Sequence, residues 1–480
     1  MSPIYLSLFF TITVTITTVR GENYLLKTLF LNYLITKYNY LLWFGDEVTD
    51  LIRYITKGDG AGLAYHWLSA LVDGYGHRMV GSDSLEESID FLAKILKEDG
   101  FDDVYTEDVP NLPKWIRGDD EVQILEPRCQ RLNVLAIGGS EPADVTGEVV
   151  VIYDLDDIEH VNVSGKIVVT VQNYRGYSET VKYRHSVKLF ESLGAIGVLI
   201  KSITPFSINS PHAGGGAEGA KIPAASLTTE QADMIERLCQ HGEKIIIRMN
   251  MKSHNEDFTT SRNLIFQITG QKQTNEVILL SAHIDSWDVG QGALDNGGGC
   301  AAIWSALHSL KQLAKINPAF KPKRTIRAIF WTAEEQGMLG AMHYYNTHKN
   351  TPNERFYFVS ETNKGAFKPT NWLSHLAFSG NEEQMKRLNE IVHLLNRHGI
   401  PLGVKNSSSQ GSISLWAKDG IPSVNYLPDK ALDYYYYFHH TEGDYITIFK
   451  DEDLEYTAAI FAVLGHVIAN MDNWGYNQFM

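Results

Sequence analysis

Three short stretches of this chain concentrate imidazole and carboxylate groups. The first is Ser281-Ala-His-Ile-Asp-Ser-Trp-Asp-Val-Gly-Gln-Gly-Ala-Leu-Asp-Asn296, the second Trp331-Thr-Ala-Glu-Glu335, and the third Phe438-His-His-Thr-Glu-Gly-Asp444. Imidazole and carboxylate are the ligand types of hydrolytic zinc sites. A further carboxylate that binds no metal can serve as the base.

His283 taken alone reads as a structural histidine. Asp285, two residues on, changes that, because its carboxylate can accept the second ring N–H and free the other nitrogen for a metal. Asp295 sits in a glycine-lined turn, where its two oxygens can reach two metals. It can equally make an Asx-turn or cap the next helix, and these roles are compatible. Glu334 and Glu335 read as a solvated pair until their setting is considered. They follow an apolar run and precede Gly337, and neighbouring side chains at a strand end point in different directions. One can then bind metal while the other takes a proton from a metal-activated water. His439 and His440, with Asp444, offer a late imidazole. The run Tyr434–Tyr437 reads as edge packing or as phenol donors to an oxyanion.

The elements that must position these groups alternate. Val277–Ser281, Thr325–Trp331 and Phe356–Ser360 read as strands. Gly298–Lys315, Met338–His348, Glu382–Leu395 and Tyr456–Met471 read as helices. Near-continuous apolar strands between helices predict an α/β domain with a mixed, largely parallel sheet covered on both faces. In such sheets the site lies at the strands' carboxyl ends, where the first two groups fall. Upstream, residues 46–97 have helical periodicity. Between 132 and 253 the texture becomes β-rich, with runs at Val149–Ile152, Lys166–Val171, Ile196–Ile200 and Lys244–Met249, one helix at Val181–Leu193, and glycine-rich loops such as His212-Ala-Gly-Gly-Gly-Ala217. That segment reads as an inserted module without a catalytic constellation. The expected organisation is therefore 47–131 and 254–480 for the main domain, with 132–253 inserted.

The 480 residues suffice for two to three domains, and 44% hydrophobic with 21% charged residues describes a globular protein. A net charge of −15 argues against a nucleic-acid partner. Ile4–Val19 is uncharged and runs into Arg20-Gly21, which predicts a signal peptide over 1–21 and a secretory route. Residues 22–46 are a candidate pro-segment. Lys27, Asn32, Lys37 and Asn39 interrupt their apolar run, so no stable membrane span is expected. Three cysteines, Cys129, Cys239 and Cys300, are too few for a disulfide scaffold. Asn162-Val-Ser and Asn406-Ser-Ser are glycosylation sequons.

From Glu47 to the C-terminus the chain resembles the di-zinc aminopeptidase-type metallopeptidases. Leu125-Glu-Pro-Arg128, Ser207-Ile-Asn-Ser-Pro-His212, Ser286-Trp-Asp-Val-Gly-Gln-Gly292, Arg324-Thr-Ile-Arg327 and Trp331-Thr-Ala-Glu-Glu-Gln336 carry the resemblance. It implies two Zn²⁺ per chain. His283 and Asn363 would hold one, Glu335 and His440 the other, and Asp295 would bridge them with a cis peptide to Asn296. Glu334 would be general base and then acid, and Asp285 the partner of His283. The inserted module would resemble a protease-associated domain. The implied activity is release of the N-terminal residue from dipeptides and short peptides by a homodimer in an extracellular or lysosomal setting.

The chain departs from that pattern at three positions. Asn363 stands where the family carries aspartate, leaving one positive charge of the metal pair uncompensated, so the His283/Asn363 site is expected to be weak or empty. A neutral amide oxygen suits calcium better than zinc. Glu361, two residues back on the same strand face, starts roughly 6–7 Å away and would need a backbone shift to compensate. Ser412 replaces an acidic residue and Tyr445 a threonine. Besides an active peptidase, the alternatives are a catalytically impaired binding protein and a single-zinc enzyme like the glutaminyl cyclases, which lack the inserted module.

Overall fold

The computed structural model describes residues 44–475 except 353 and 451. The signal segment expected at 1–21 and nearly all of the pro-segment expected at 22–46 lie outside the described residues. The chain divides into Met1–Glu47 and Val48–Met480, and both sheets belong to the second unit.

The main sheet has eight strands in the order Asp102–Leu112, Thr259–Ile268, Arg324–Trp331, Gln273–His283, Arg355–Thr362, Ser423–Leu427, His375–Ser379 and Gly403–Asn406. The central four, from Arg324–Trp331 to Ser423–Leu427, are parallel, and antiparallel strands flank them. This is the expected mixed α/β sheet. Successive side chains of the Gln273–His283 strand alternate between faces. Val277 and Leu279 join Trp331, Tyr344 and Trp416 in one cluster. Leu280, of opposite parity, meets Gly465 of the closing helix Asp453–Asn470. That helix and Gly298–Ile316 pack on each other and on the sheet, and both are apolar nearly all round, as buried helices must be. The outer helices carry ordinary start signals. Ser82 caps Asp83–Glu98, and Asn381 with Gln384 forms a capping box for Glu382–Asn396.

Register decides where the chemistry lies. His283 pairs with Trp331, and Ser281 with Glu361, across parallel strands. Three adjacent strands therefore end at one edge, and the residues just beyond them, Asp285, Glu334, Glu335 and Asn363, emerge together.

A second eight-stranded sheet lies between residues 121 and 251, in the order Gln130–Leu132, Glu121–Glu126, Ile246–Met251, Ala143–Ile152, Ile167–Thr170, Gly197–Lys201, Ala224–Leu227 and Val134–Ala136. Its first strands precede the boundary expected at 132. The four runs read as β do form strands. The expected helix Val181–Leu193 is broken into a turn of α-helix at Tyr177–Thr180, a 3₁₀ segment at Val181–Ser186 and a short helix at Val187–Ser192. The chain enters and leaves this region through a paired crossing, Trp115–Ile116 against His254–Asn255. Both sequon asparagines, Asn162 and Asn406, are exposed. All three cysteines are free, and Cys300 is buried in its helix as expected. Among the described residues no helix is long and apolar enough to cross a membrane.

Candidate metal centre

His283, Asp295, Glu335 and His440 converge. Asp295 is the hub: its Oδ1 lies 3.1 Å from His283 Nε2 and its Oδ2 3.2 Å from His440 Nε2. His440 Nε2 is also 3.0 Å from Glu335 Oε2. The four side chains are 7% exposed or less. The ligand atoms of His283, Asp295 and Glu335 lie within 4.8 Å of one another, as do those of Asp295, His439 and His440. The Asp295–Asn296 peptide is cis.

Each position has a local cause. Asp295 is fixed from behind by Asp444, whose carboxylate accepts the backbone N–H groups of Leu294 at 2.6 Å and Asp295 at 3.1 Å. Asp285 lies beside His283 and also has a second set of partners. His283 Nδ1 is nearest the Asp285 carbonyl oxygen, at 3.0 Å, and lies 3.6 Å from its carboxylate. That carboxylate accepts the backbone N–H of Glu334 at 3.1 Å and of Glu335 at 3.2 Å. It thus ties the histidine loop to the turn that carries both glutamates. Trp287 Nε1 donates to Glu335 Oε2 at 2.8 Å, while its ring is buried in the core of the second sheet. Arg78 is buried and donates to the carbonyls of Ile284, Gln291 and Gly292, pinning the same loop. Sequence reasoning missed Trp287 and Arg78 as supports. Arg78 lies outside every motif, and the residue type of Trp287, though within one, does not announce that its N–H will reach a ligand carboxylate.

The electrostatics are those of carboxylates crowded in a dry place. Burial opposes a proton on His283, but the Glu334 charge and the hydrogen bonds of Asp285 and Asp295 outweigh it and hold this imidazole well above its usual range. His440 is pushed up to about 10 in the same way, its burial overcome by Glu335 and Asp295. Burial raises Glu335, and it pushes Glu334 up to about 8 with Glu335, Glu361 and Asp295 adding to the effect. Protons on the imidazoles supply the positive charge these carboxylates need, and metal ions would displace them.

Asn363 turns its amide nitrogen to Glu334 Oε1, 3.0 Å away. A carboxylate at this position could not donate that bond. Glu361 does not fill the gap. Its Oε2 accepts the Ser412 N–H at 3.1 Å, and it belongs to neither group of converging ligand atoms. Gly411 has φ +70, which a side chain would strain, and a Cβ there would also lie 2.4 Å from Glu361 Oε2 and push it aside. Of the four tyrosines, Tyr435 and Tyr436 are buried in the short helix Tyr434–Phe438. Burial and the Asp295 carboxylate hold the Tyr435 phenol well above its usual range, so it stays protonated as a donor beside the site. Tyr445 is 47% exposed.

The model for peptidase family M28 matches residues 263–464, the span that holds His283, Asp295, Glu334, Glu335 and His440. Carboxypeptidase Q of Homo sapiens is 38% identical over 441 residues, which cover 89% of this chain and 90% of that protein. The chain belongs to peptidase family M28. A solved M28 peptidase precursor from Shewanella amazonensis SB2B superposes with a TM-score of 0.82 at 27% identity, covering 89% of this chain and 97% of the other. A zinc aminopeptidase from Bacillus subtilis, at 19% identity and a TM-score of 0.64 over 85% of this chain and 95% of its own, shares the fold. As an M28 member with these relatives, the protein is a metallo-exopeptidase.

The side chains fit zinc. Two imidazoles and two carboxylates converge, and Glu335 Oε1 is buried with no hydrogen-bond partner. A buried carboxylate oxygen left unpaired is costly unless something positive meets it. Glu335, His440 and Asp295 bring together two carboxylates and an imidazole, the donor types that zinc takes.

Proposed function

We propose that this M28 enzyme hydrolyses dipeptides and short peptides with a free N-terminus, in an extracellular or lysosomal compartment, and works as a homodimer. The observation that carries the catalytic part is Glu334. It stands beside the converging ligands, 4.0 Å from His283 Nε2 and 16% exposed, and it is the one carboxylate of the group still open to an incoming water or substrate. Glu335, His440 and Asp295 would hold a zinc ion, which when bound would supply Lewis acidity and an acidified water. Glu334 is the proton carrier of the site, taking a proton from the attacking water and returning it to the departing amine. Asn363 Nδ2 holds Oε1 of Glu334, so the carboxyl is already oriented before substrate arrives. Tyr435 presents a protonated phenol where charge develops on the carbonyl oxygen. Glu335, His440 and Asp295 would hold one zinc, and a second site, on the His283 and Asn363 side, would be weak or empty.

Glu334→Gln tests this reading. Turnover of an unblocked dipeptide is expected to fall by about 10²–10⁴-fold, with zinc content within error of wild type. Near-wild-type turnover would remove Glu334 from its role. Activity on a peptide with an acetylated N-terminus equal to that on the free peptide would remove the exopeptidase assignment.

A further inference from the structure

We infer that the inserted region is a working part of the metal centre, and that Arg184 positions the zinc ligand His440 through the carbonyl of Ala213. This rests on the reading of His440 as a ligand. The contact between the two has two bonds. His440 Nδ1 is 3.2 Å from the Ala213 carbonyl oxygen, and the Ala213 N–H donates to the His440 carbonyl at 2.9 Å. A metal-binding imidazole needs its other nitrogen oriented by an acceptor, and this backbone carbonyl is that acceptor. The clamp also holds an unfavourable conformation. His440 has φ 60, in the left-handed region that a side chain with a Cβ avoids.

Ala213 lies on a loop with little rigidity of its own, His212-Ala-Gly-Gly-Gly-Ala217, and Arg184 sets its shape. Its Nη1 donates to the Ala213 carbonyl at 3.0 Å and its Nε to the Gly215 carbonyl at 2.8 Å. Its Nη2 donates to the Tyr177 hydroxyl at 3.0 Å, and Tyr177 in turn stacks on Tyr436 and meets His439 edge-on. The glycines make room for the guanidinium. A Cβ on Gly214 would lie 2.3 Å from Arg184 Cζ, and one on Gly216 2.5 Å from the Arg184 carbonyl oxygen. Arg184 is 4% exposed. Burying a guanidinium against carbonyls and a phenol is costly. The return is that the Ala213 oxygen has one fixed position, shared between the arginine and the zinc ligand.

The test uses the full-length protein, stripped of metal and titrated with zinc against a chromophoric chelator. Arg184→Met is expected to weaken the tighter zinc site by roughly tenfold or more, and to lower the unfolding midpoint of the zinc-loaded protein more than that of the metal-free protein, because only the loaded protein also loses an oriented ligand. Arg184→Lys, with one ammonium able to reach one carbonyl, should recover part of the loss. If Arg184→Met does not fold, Tyr177→Phe removes only the hydroxyl that holds Nη2, and a loss of roughly threefold is expected. Wild-type zinc affinity in folded Arg184→Met, or in Tyr177→Phe where Arg184→Met does not fold, would overturn the proposal. So would equal destabilisation with and without zinc. A His440→Ala control that binds zinc as tightly as wild type would overturn both this inference and the ligand assignment beneath it. A control that loses zinc beside an unaffected Arg184→Met would overturn this inference alone.

Discussion

Asn363→Asp restores the carboxylate expected beside Glu334, and its effect should reverse sign with metal. In the metal-free protein Asn363 donates to Glu334 Oε1 at 3.0 Å. Aspartate removes the donor and sets a second negative charge beside the first. A hydrogen bond to a charged acceptor contributes about 1.5–3 kcal/mol. Repulsion between two carboxylates about 4 Å apart at an effective dielectric of 20 adds up to about 4 kcal/mol. Partial exposure of Asn363 and proton uptake by Glu334, already pushed up to about 8 by burial, reduce that sum. The metal-free variant should therefore be about 2–4 kcal/mol less stable than wild type. Zinc turns the added charge from liability to ligand, and the second equivalent should bind about tenfold tighter or better, a gain of about 1.4 kcal/mol. Urea unfolding of metal-free and zinc-loaded protein, with a chelator-competition titration, measures both halves. Unchanged metal-free stability together with unchanged affinity for the second zinc would refute the reasoning.

Two further outcomes are expected. Trp287→Phe keeps the ring in the core of the second sheet but removes the N–H that holds Glu335 Oε2 at 2.8 Å; zinc affinity should fall about tenfold, and a titration indistinguishable from wild type would show that the indole does not orient this ligand. The second concerns pH. His440 in the metal-free fold is pushed up to about 10, above its unfolded value near 6.5, by Glu335 and Asp295, so between these values the folded state binds the extra proton. The stability this contributes is complete below about pH 6.5 and lost as pH rises through about 10. Metal-free protein should therefore unfold more easily at pH 9 than at pH 7, while zinc, which competes with that proton, should bind more tightly at pH 9. Stability that rises over this range without metal would contradict the charge balance described here.

How much of this was legible in the sequence depends on who carries each interaction. His283, Glu334 and Glu335 could be read because an apolar parallel strand ends beside each, and strand ends are where a sheet presents its chemistry. Asp295 and His440 were legible as residue types, and their convergence follows from the register His283↔Trp331 and from the Asp444 bonds to the Asp295 turn. The role of Asp285 was half visible. Its spacing marks it as the neighbour of His283, but its carboxylate serves the Glu334 and Glu335 N–H groups, which no side-chain pattern announces. Ala213 was invisible because it acts through its carbonyl, and the inserted region accordingly read as inert. The strands His375–Ser379, Gly403–Asn406 and Ser423–Leu427 escaped because four or five residues are too few to show a period.

Diffraction at the zinc absorption edge, from crystals of wild-type protein grown with zinc, decides whether His283, Asp295, Glu335 and His440 enclose a metal centre. An anomalous peak is expected within about 2.0–2.2 Å of an oxygen of Asp295, an oxygen of Glu335 and a nitrogen of His440, with a weaker or absent second peak near His283. Zinc-saturated protein whose only peaks lie away from these side chains would contradict it.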